Sequence, residues 1–446
     1  MKKAVRLSEI EKNFNPAPLI GEELDPEKGL YVDTIGARIN ASFRSPLRKI
    51  YNACTGGSPQ FIQVLMGHRG CGKSTELNKM EQQFIKEGYM VRKINCQTEL
   101  NLAKLEVFDI IYLILQSLID IAKDCKIKGV DEKNERIIRA LHYFKDTEIV
   151  EKIKDGASAS LEAGAGLGWD KIINIFAKGK TALQYSSESI ITIKENIRKN
   201  NEDWYRCIDF LCEEIYQNQG KRPVFIFENF DKMIDPEKAF DVFRDGYISS
   251  EKIRTYCIFT FPISLTYDTR MGRIEHYFDK FIFPMIEVRK KTGENHQAGI
   301  SVIKEIIEKR ADMNLFEAGA LDFIIEKTGG SLRDVFFCIR EAADIALYRA
   351  EKTGAETIVT GEDVKNALAS LKSDITRRIV TGDYPALVKI HENKAEIEDQ
   401  GKMLEFLRGH VVLEYNGERW HDCHPLIWDF VEENVNRRKK EETAIK

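Results

Sequence analysis

Five apolar runs of strand length mark the first two thirds of the chain, and helical patterns fill the spaces between them. Phe61 to Met66 is the first run, Lys73 to Glu87 repeats with helical period, and Tyr89 to Asn95 is the second. Strand, helix, strand in that order predicts a parallel sheet. Helical patterns continue at Leu102 to Asp124, Glu132 to Phe144 and Asn201 to Asn218. Strand signals return at Pro223 to Phe227, Tyr256 to Phe261 and Phe281 to Val288. Past Asn295 the pattern is wholly helical to Leu371, with a break at Gly329-Gly330. Before the first strand, a segment carrying Pro16, Pro18 and Pro26 predicts an extended lead-in that wraps the sheet domain, with one short helix over Ser45 to Cys54.

The last part of the chain changes grammar. Helical patterns at Ser373 to Val380, Ala386 to Asn393 and Gln400 to Arg408 lead into Val411 to Tyr415, then Asn416-Gly417, then Arg419 to Cys423. Asn-Gly between two alternating runs is a strong hairpin signal. Closed by a helix over Pro425 to Val435, these elements resemble a winged-helix domain. The expected organisation is therefore an N-terminal extension (1–57), an α/β core with a parallel sheet flanked by helices (58–290), a helical lid (291–372) and a winged-helix-like domain (373–446).

Composition narrows the setting. A chain of 446 residues, 43% hydrophobic and 31% charged, can bury a sizeable core, and a net charge of −4 gives no general attraction to nucleic acid or anionic membrane. Nine cysteines include no C-x-x-C pair and several lie in apolar periodic stretches, which reads as buried thiols in a reducing compartment. The N-terminus turns charged before any apolar core forms, so a secretion signal is not expected. Asp109, Gln116 and Asp120 interrupt the apolar stretch Val107 to Ala122, which falls short of a membrane span. A cytoplasmic protein is expected. The small-residue stretch 155–168, followed by Trp169, Ile172, Ile173, Ile175 and Phe176 among lysines, reads as a mobile loop or partner-contacting insert, with membrane contact as the alternative.

The strongest chemistry lies at the end of the first strand. Gly67-His68-Arg69-Gly70-Cys71-Gly72-Lys73-Ser74 fits G-x-x-x-x-G-K-[ST] between a strand and a helix. The glycines let backbone N–H groups curl around a phosphate at a helix N-terminus. In such a loop Lys73 reaches the β- and γ-phosphates and the Ser74 hydroxyl ligates Mg²⁺. The third strand ends in Glu228-Asn229-Phe230-Asp231, where a carboxylate is needed for the metal and the attacking water. The chain is expected to bind a nucleoside triphosphate.

With these motifs on the page, the region from Leu30 to Leu371 resembles the AAA+ and STAND-like P-loop ATPases, in particular the origin-recognition-like branch and bacterial signalling relatives. The resemblance is carried by Gly67 to Leu77, which includes Thr75, by Phe225 to Asp231, Phe259 to Leu265, and Gly329 to Asp334. It implies ATP as the nucleotide, Thr260 as a polar sensor of the γ-phosphate, and Arg333 as a lid arginine at the nucleotide. It also implies an arginine finger from Arg270 or Arg273, which would act across a homo-oligomer. The family's second Walker B acid is replaced here by Asn229, so base catalysis falls to Glu228 or Asp231, which share the spacing of a D-x-x-D form. Slow or conditional hydrolysis follows.

Two functions remain open. One is a nucleotide-dependent oligomerising switch that controls a partner protein in bacterial, for example antiviral, defence or in signalling. The other is a DNA-binding initiator or loader using the terminal domain. Residues 383–446 hold 14 acidic against 10 basic residues, which favours the first. His421 and His424 bracket Cys423, but no fourth ligand is in sight and their spacing along a strand turns them to opposite faces, so a structural role is expected.

Overall fold

The computed structural model describes residues 2–38, 46–56, 61–127, 201–232, 237–243, 252–354, 357–415 and 419–445, together with 130, 136, 137, 195, 198, 199, 246, 248 and 249. Five parallel strands form one sheet: β1 (Phe61–Gly67), β2 (Val91–Asn95), β3 (Val224–Glu228), β4 (Tyr256–Pro262) and β5 (Asp279–Ile282), in the order β2-β3-β4-β1-β5. Along its length β1 pairs Phe61 with Tyr256 through Gly67 with Pro262 on one side, and Gln63 with Asp279 through Met66 with Ile282 on the other.

Alternate residues on these strands feed separate cores. Phe61, Leu65, Val224, Ile226, Tyr256 and Ile258 meet Leu77, Met80 and Phe84 of the helix Lys73–Lys86. Ile62, Val64, Met66, Phe225, Phe227 and Phe259 meet the helices Val107–Asp124 and Asn201–Gln219. Burial on both faces is why the strands read as unbroken apolar runs. Phe227 and Phe259 stack at 4.6 Å, with Phe230 and Phe243 edge-on to Phe259. The same parity places Lys93, Asn95, Glu228 and Thr260 on the face covered by the helix Lys73–Lys86.

The fifth strand is shorter and earlier than its apolar run suggests. Phe283, Met285, Ile286 and Val288 are buried by packing beyond the strand's end. Four helices follow: Gln297–Glu308, Ala320–Lys327, Leu332–Thr353 and Gly361–Thr376. The last runs through positions 372 and 373, so Ser373 to Thr376 continue the lid and no separate helix covers Ser373 to Val380.

The terminal region comprises the helices Tyr384–Asn393 and Gln400–Arg408, the antiparallel pair β6 (Val412–Tyr415) and β7 (Trp420–Cys423), and the helix Trp428–Ile445. Leu413, Tyr415 and Trp420 join the core on the Lys73–Lys86 side of the sheet, so the hairpin closes against the sheet domain. The expected Asn416-Gly417 turn lies outside the described residues. So do the stretch 155–168, the apolar residues after it, and all but two residues of the expected helix Glu132 to Phe144. No described helix is long and apolar enough to cross a membrane.

The N-terminal extension divides its contacts. Ala4 bridges to Ala311, and Leu7, Ile10 and Phe14 enter the lid core, where Phe14 meets Phe336 edge-on at 5.4 Å. Leu19 turns to the sheet domain: its N–H donates to Thr75 Oγ1 at 3.3 Å and its carbonyl accepts from Asn78 Nδ2 at 2.7 Å. The extension thus ties the lid to the helix behind the phosphate loop.

The lid helix Leu332–Thr353 starts from a turn that only glycine fits. Gly330 has φ +86, and an added Cβ would stand 1.9 Å from the Ile286 carbonyl oxygen. Gly354, at the other end of that helix, has φ +65 but open space around it. Gly330→Ala should therefore cost about 3 kcal/mol or more in urea unfolding, combining backbone strain with a clash, and Gly354→Ala only about 1 kcal/mol. Equal costs would show that the approach to Ile286 is not what restricts Gly330.

Candidate functional site

The phosphate loop leaves β1 and enters its helix through two left-handed glycines, Gly70 at φ +78 and Gly72 at φ +100. A Cβ at Gly70 would also stand 2.4 Å from the Arg333 Cβ, so the lid lies directly on the loop. The first N–H groups of the helix Lys73–Lys86 have no partner within the helix and carry the positive end of its dipole. Lys73 is 5% exposed; its Nζ donates to the Gly67 and His68 carbonyls at 3.0 and 2.9 Å and pairs with Asp231 Oδ2 at 3.1 Å.

Both candidate acids are tied to lysines. Glu228, at the end of β3, pairs with Lys93 Nζ of β2 at 2.8 Å, and Asp231 pairs with Lys73. Asn229 between them takes φ +68 and donates from Nδ2 to Asn95 Oδ1 at 2.9 Å. That left-handed residue separates the two carboxylates, sending Glu228 toward β2 and Asp231 toward the loop. Thr260 is buried, with Oγ1 3.5 Å from the Phe227 carbonyl, and does not line the cleft described next.

A cleft of about 510 Å³ opens between loop, lid and extension. At its phosphate end stand Arg69, Lys73, Ser74, Thr75, Glu228, Asp231 and Arg333. Leu30, Tyr31, Val32, Ile306 and Phe336 give it a more apolar wall, with Arg310 among them. Arg310 is 5% exposed, donates Nη1 to the Ile306 carbonyl at 2.8 Å, and burial brings its pKa down to about 10.

Arg38 is buried where the extension meets the loop. Its Nε donates to Thr34 Oγ1 at 2.7 Å, Nη1 to the Pro284 carbonyl at 2.5 Å and Nη2 to the Cys71 carbonyl at 2.6 Å. Neither Arg38 nor Arg310 belongs to a motif, and their segments carried no signal beyond prolines or helical period. Lys93 stood inside a strand run and was equally hidden.

The remaining sequence candidates fall elsewhere. Gly67 and His68 border a separate small cavity shared with Ser264, Arg408 and His410, and the Cys71 side chain is buried. Arg270 folds back on Asp268, with Nε to Oδ1 at 2.9 Å and Nη2 to Oδ2 at 2.7 Å, and Arg273 is exposed; neither lines the cleft of its own chain.

For Mg²⁺ the donor set fits: a serine hydroxyl and a carboxylate oxygen open on one cleft, and this ion takes few protein ligands beside phosphate and water. Ser74 and Glu228 would hold it. Among the described residues no group of three or more His, Cys, Asp and Glu is placed to hold a metal ion. His421 Nε2 is 2.6 Å from the Tyr267 hydroxyl, which donates to Glu414 Oε2 at 2.7 Å, and His424 Nε2 is 3.6 Å from Asp334 Oδ2.

No protein-family model matches the chain, and no curated protein matches it. Among solved structures, the ORC2 protein of Aeropyrum pernix in ADPNP and ADP complexes is similar over 97% of this chain and 98% of its own, at 12% identity and a TM-score of 0.42. A Walker-type ATPase of Pyrococcus abyssi covers 94% of this chain and 99% of its own, at 13% identity and 0.41. Cdc6p of Pyrobaculum aerophilum covers 97% and 98%, at 13% identity and 0.36.

The loop's second residue is a buried histidine. His68 Nε2 accepts from the Glu414 N–H of β6 at 2.9 Å, and the His410 ring stands edge-on at 5.6 Å. Burial, and then the fields of His410 and Lys73, hold His68 well below the ordinary imidazole range. Burial brings His410 to about 4. The unfolded chain therefore binds protons below about pH 6.5 that the folded chain refuses, so stability is lost as pH falls. Each imidazole contributes about 1.4 kcal/mol per pH unit below that point. Thermal unfolding from about pH 7 to about pH 5 should show a falling Tm, and His410→Gln should flatten the slope. An identical slope in the variant refutes the assignment.

Proposed function

We propose that this chain is a cytoplasmic ATPase of AAA+ type that binds ATP with Mg²⁺, hydrolyses it slowly, and uses the nucleotide to set its conformation and self-association. The observation that carries the reading is one cleft of nucleotide size onto which the loop lysine, the strand-end acids and the lid arginine all open. Lys73, Arg69 and Arg333 suit a polyanion, and the wall of Leu30, Val32, Ile306 and Phe336 suits a base.

The chemistry follows from the ion pairs. A triphosphate entering the loop competes with Asp231 for Lys73, and a released Asp231 can accept a proton from water. Mg²⁺ bound through Ser74 and Glu228 would offset charge on the phosphate oxygens. With Asn229 where a second acid would stand, the general base has to be recruited by nucleotide binding, which suits a switch. Arg270 or Arg273 would complete a neighbouring subunit's site. The setting we propose, an effector protein under nucleotide control in bacterial defence or signalling, comes from the motif resemblance. The acidic terminal domain argues against the DNA-loader alternative, which requires affinity that falls steeply with salt.

Two measurements test this. Lys73→Ala should weaken ATP binding in calorimetry by at least about tenfold, while Glu228→Gln keeps binding and slows turnover. Wild-type affinity in a folded Lys73→Ala variant overturns the reading. For the arginines, an Arg270→Ala, Arg273→Ala double variant should bind ATP yet lose about a thousandfold in hydrolysis, and mixing it with Lys73→Ala subunits should restore some turnover. Mixed oligomers that stay inactive exclude a finger acting between subunits.

A further inference from the structure

Lys93 is the third residue of β2 and projects from the same sheet face as Asn95, whose backbone is in register with Glu228. Its Nζ lies 2.8 Å from Glu228 Oε2 and 4.0 Å from Glu81 Oε2, and it also donates to Asn78 Oδ1. Asn78 and Glu81 both belong to the helix that starts at Lys73. Asn78 in turn donates to the Leu19 carbonyl of the N-terminal extension. The ammonium is thus held by the phosphate-loop helix between two carboxylates, one at the metal side of the cleft and one away from it: Glu228 lines the cleft, and Glu81 does not.

The pair is sheltered. Lys93 is 22% exposed and Glu228 8%, so their attraction is less screened than that of a surface pair. A divalent cation arriving at Glu228 meets a carboxylate already neutralised, and it must either displace the ammonium or bear its repulsion.

We propose that Lys93 is a positioning residue that stands in for the cation. Its ammonium neutralises Glu228 until Mg²⁺ arrives with the nucleotide, then moves to Glu81. This rests on the nucleotide reading above and adds to it a control on the metal requirement: the Mg²⁺ concentration for tight nucleotide binding is set by the balance between Glu228 and Glu81 for one lysine. Removing the lysine and removing the second carboxylate have opposite effects. Removing the lysine frees Glu228 for the metal, whereas removing the Glu81 charge takes away the lysine's second position and holds it on Glu228.

The experiment is a Mg²⁺ titration of the affinity of the full chain for a fluorescent ATP analogue, read by anisotropy. Lys93→Met should lower the Mg²⁺ midpoint about tenfold, Glu81→Gln should raise it about threefold, and Lys93→Arg should restore the wild-type midpoint within about twofold. The opposite signs separate the idea from a general loss of structure, which would weaken binding in both variants, and thermal unfolding confirms that each is folded. An unchanged or raised midpoint in Lys93→Met, or a lowered one in Glu81→Gln, overturns the proposal while leaving nucleotide binding intact. A wild-type chain that binds the analogue at no Mg²⁺ concentration overturns the nucleotide reading itself.

Discussion

The buried guanidinium of Arg38 is the joint on which the site depends. It is 3% exposed and, among the described residues, pairs with no carboxylate in a salt bridge. A charge so placed is costly to bury, and three short donated hydrogen bonds offset that cost. Their acceptors come from three separate pieces of chain: Thr34 of the extension, Cys71 of the phosphate loop and Pro284 just past β5. The Phe283 ring lies 4.4 Å from the guanidinium carbon and adds cation–π attraction. Because its donors form a rigid fork, arginine fixes the relative placement of those pieces as lysine would not. The loop's curl therefore depends on its own glycines and on a residue roughly thirty positions upstream.

A second constraint is charge balance. Each acid of the Glu228 to Asp231 segment is matched by a lysine, and the loop lysine donates to the Gly67 and His68 carbonyls as well. Such an arrangement is satisfied as it stands, which keeps buried charges from being stranded. On the proposed reading, a nucleotide and its metal would bind by exchange of partners, so that affinity would reflect what phosphates and metal gain less what the lysines give up. Asn229 matters here for its backbone as well as its missing charge, since Asn tolerates the left-handed conformation better than a bulkier residue.

Much of this fold could be read from the sequence, and the reasons for the failures are physical. β1, β3 and β4 carry apolar side chains on both faces and announced themselves as runs; the phosphate loop announced itself by glycine spacing. The fifth strand was misplaced because Phe281 to Val288 is buried throughout while only Asp279–Ile282 pairs, and hydrophobicity reports burial without reporting pairing. The extension was expected to wrap the sheet domain, and from Leu19 onward it contacts the helix Lys73–Lys86, but Leu7, Ile10 and Phe14 lie in the lid core, because an extended segment has no period from which to read its partner. Arg38, Lys93 and Arg310 went unnoticed since a single charge in a chain that is 31% charged carries no signal. What singles them out is placement, Arg38 and Arg310 buried and Lys93 partly buried between two carboxylates, and that is a property of the folded arrangement.

The geometry around Arg333 shows how the parts can be coupled. Arg333 lines the cleft, while its neighbour Asp334 faces His424 just beyond the hairpin. The turn before them is restrained on both sides: the Gly329 carbonyl accepts from Tyr415 Oη of β6 at 2.8 Å, and Gly330 lies tight against Ile286. A shift of the helix start that follows Arg333 toward a phosphate must carry Asp334 with it and disturb those contacts with the terminal domain. On the other side of the cleft, His68 already joins the loop to β6. The terminal domain thus touches the phosphate loop and the lid by separate contacts. The hairpin β6–β7 is braced between loop and lid.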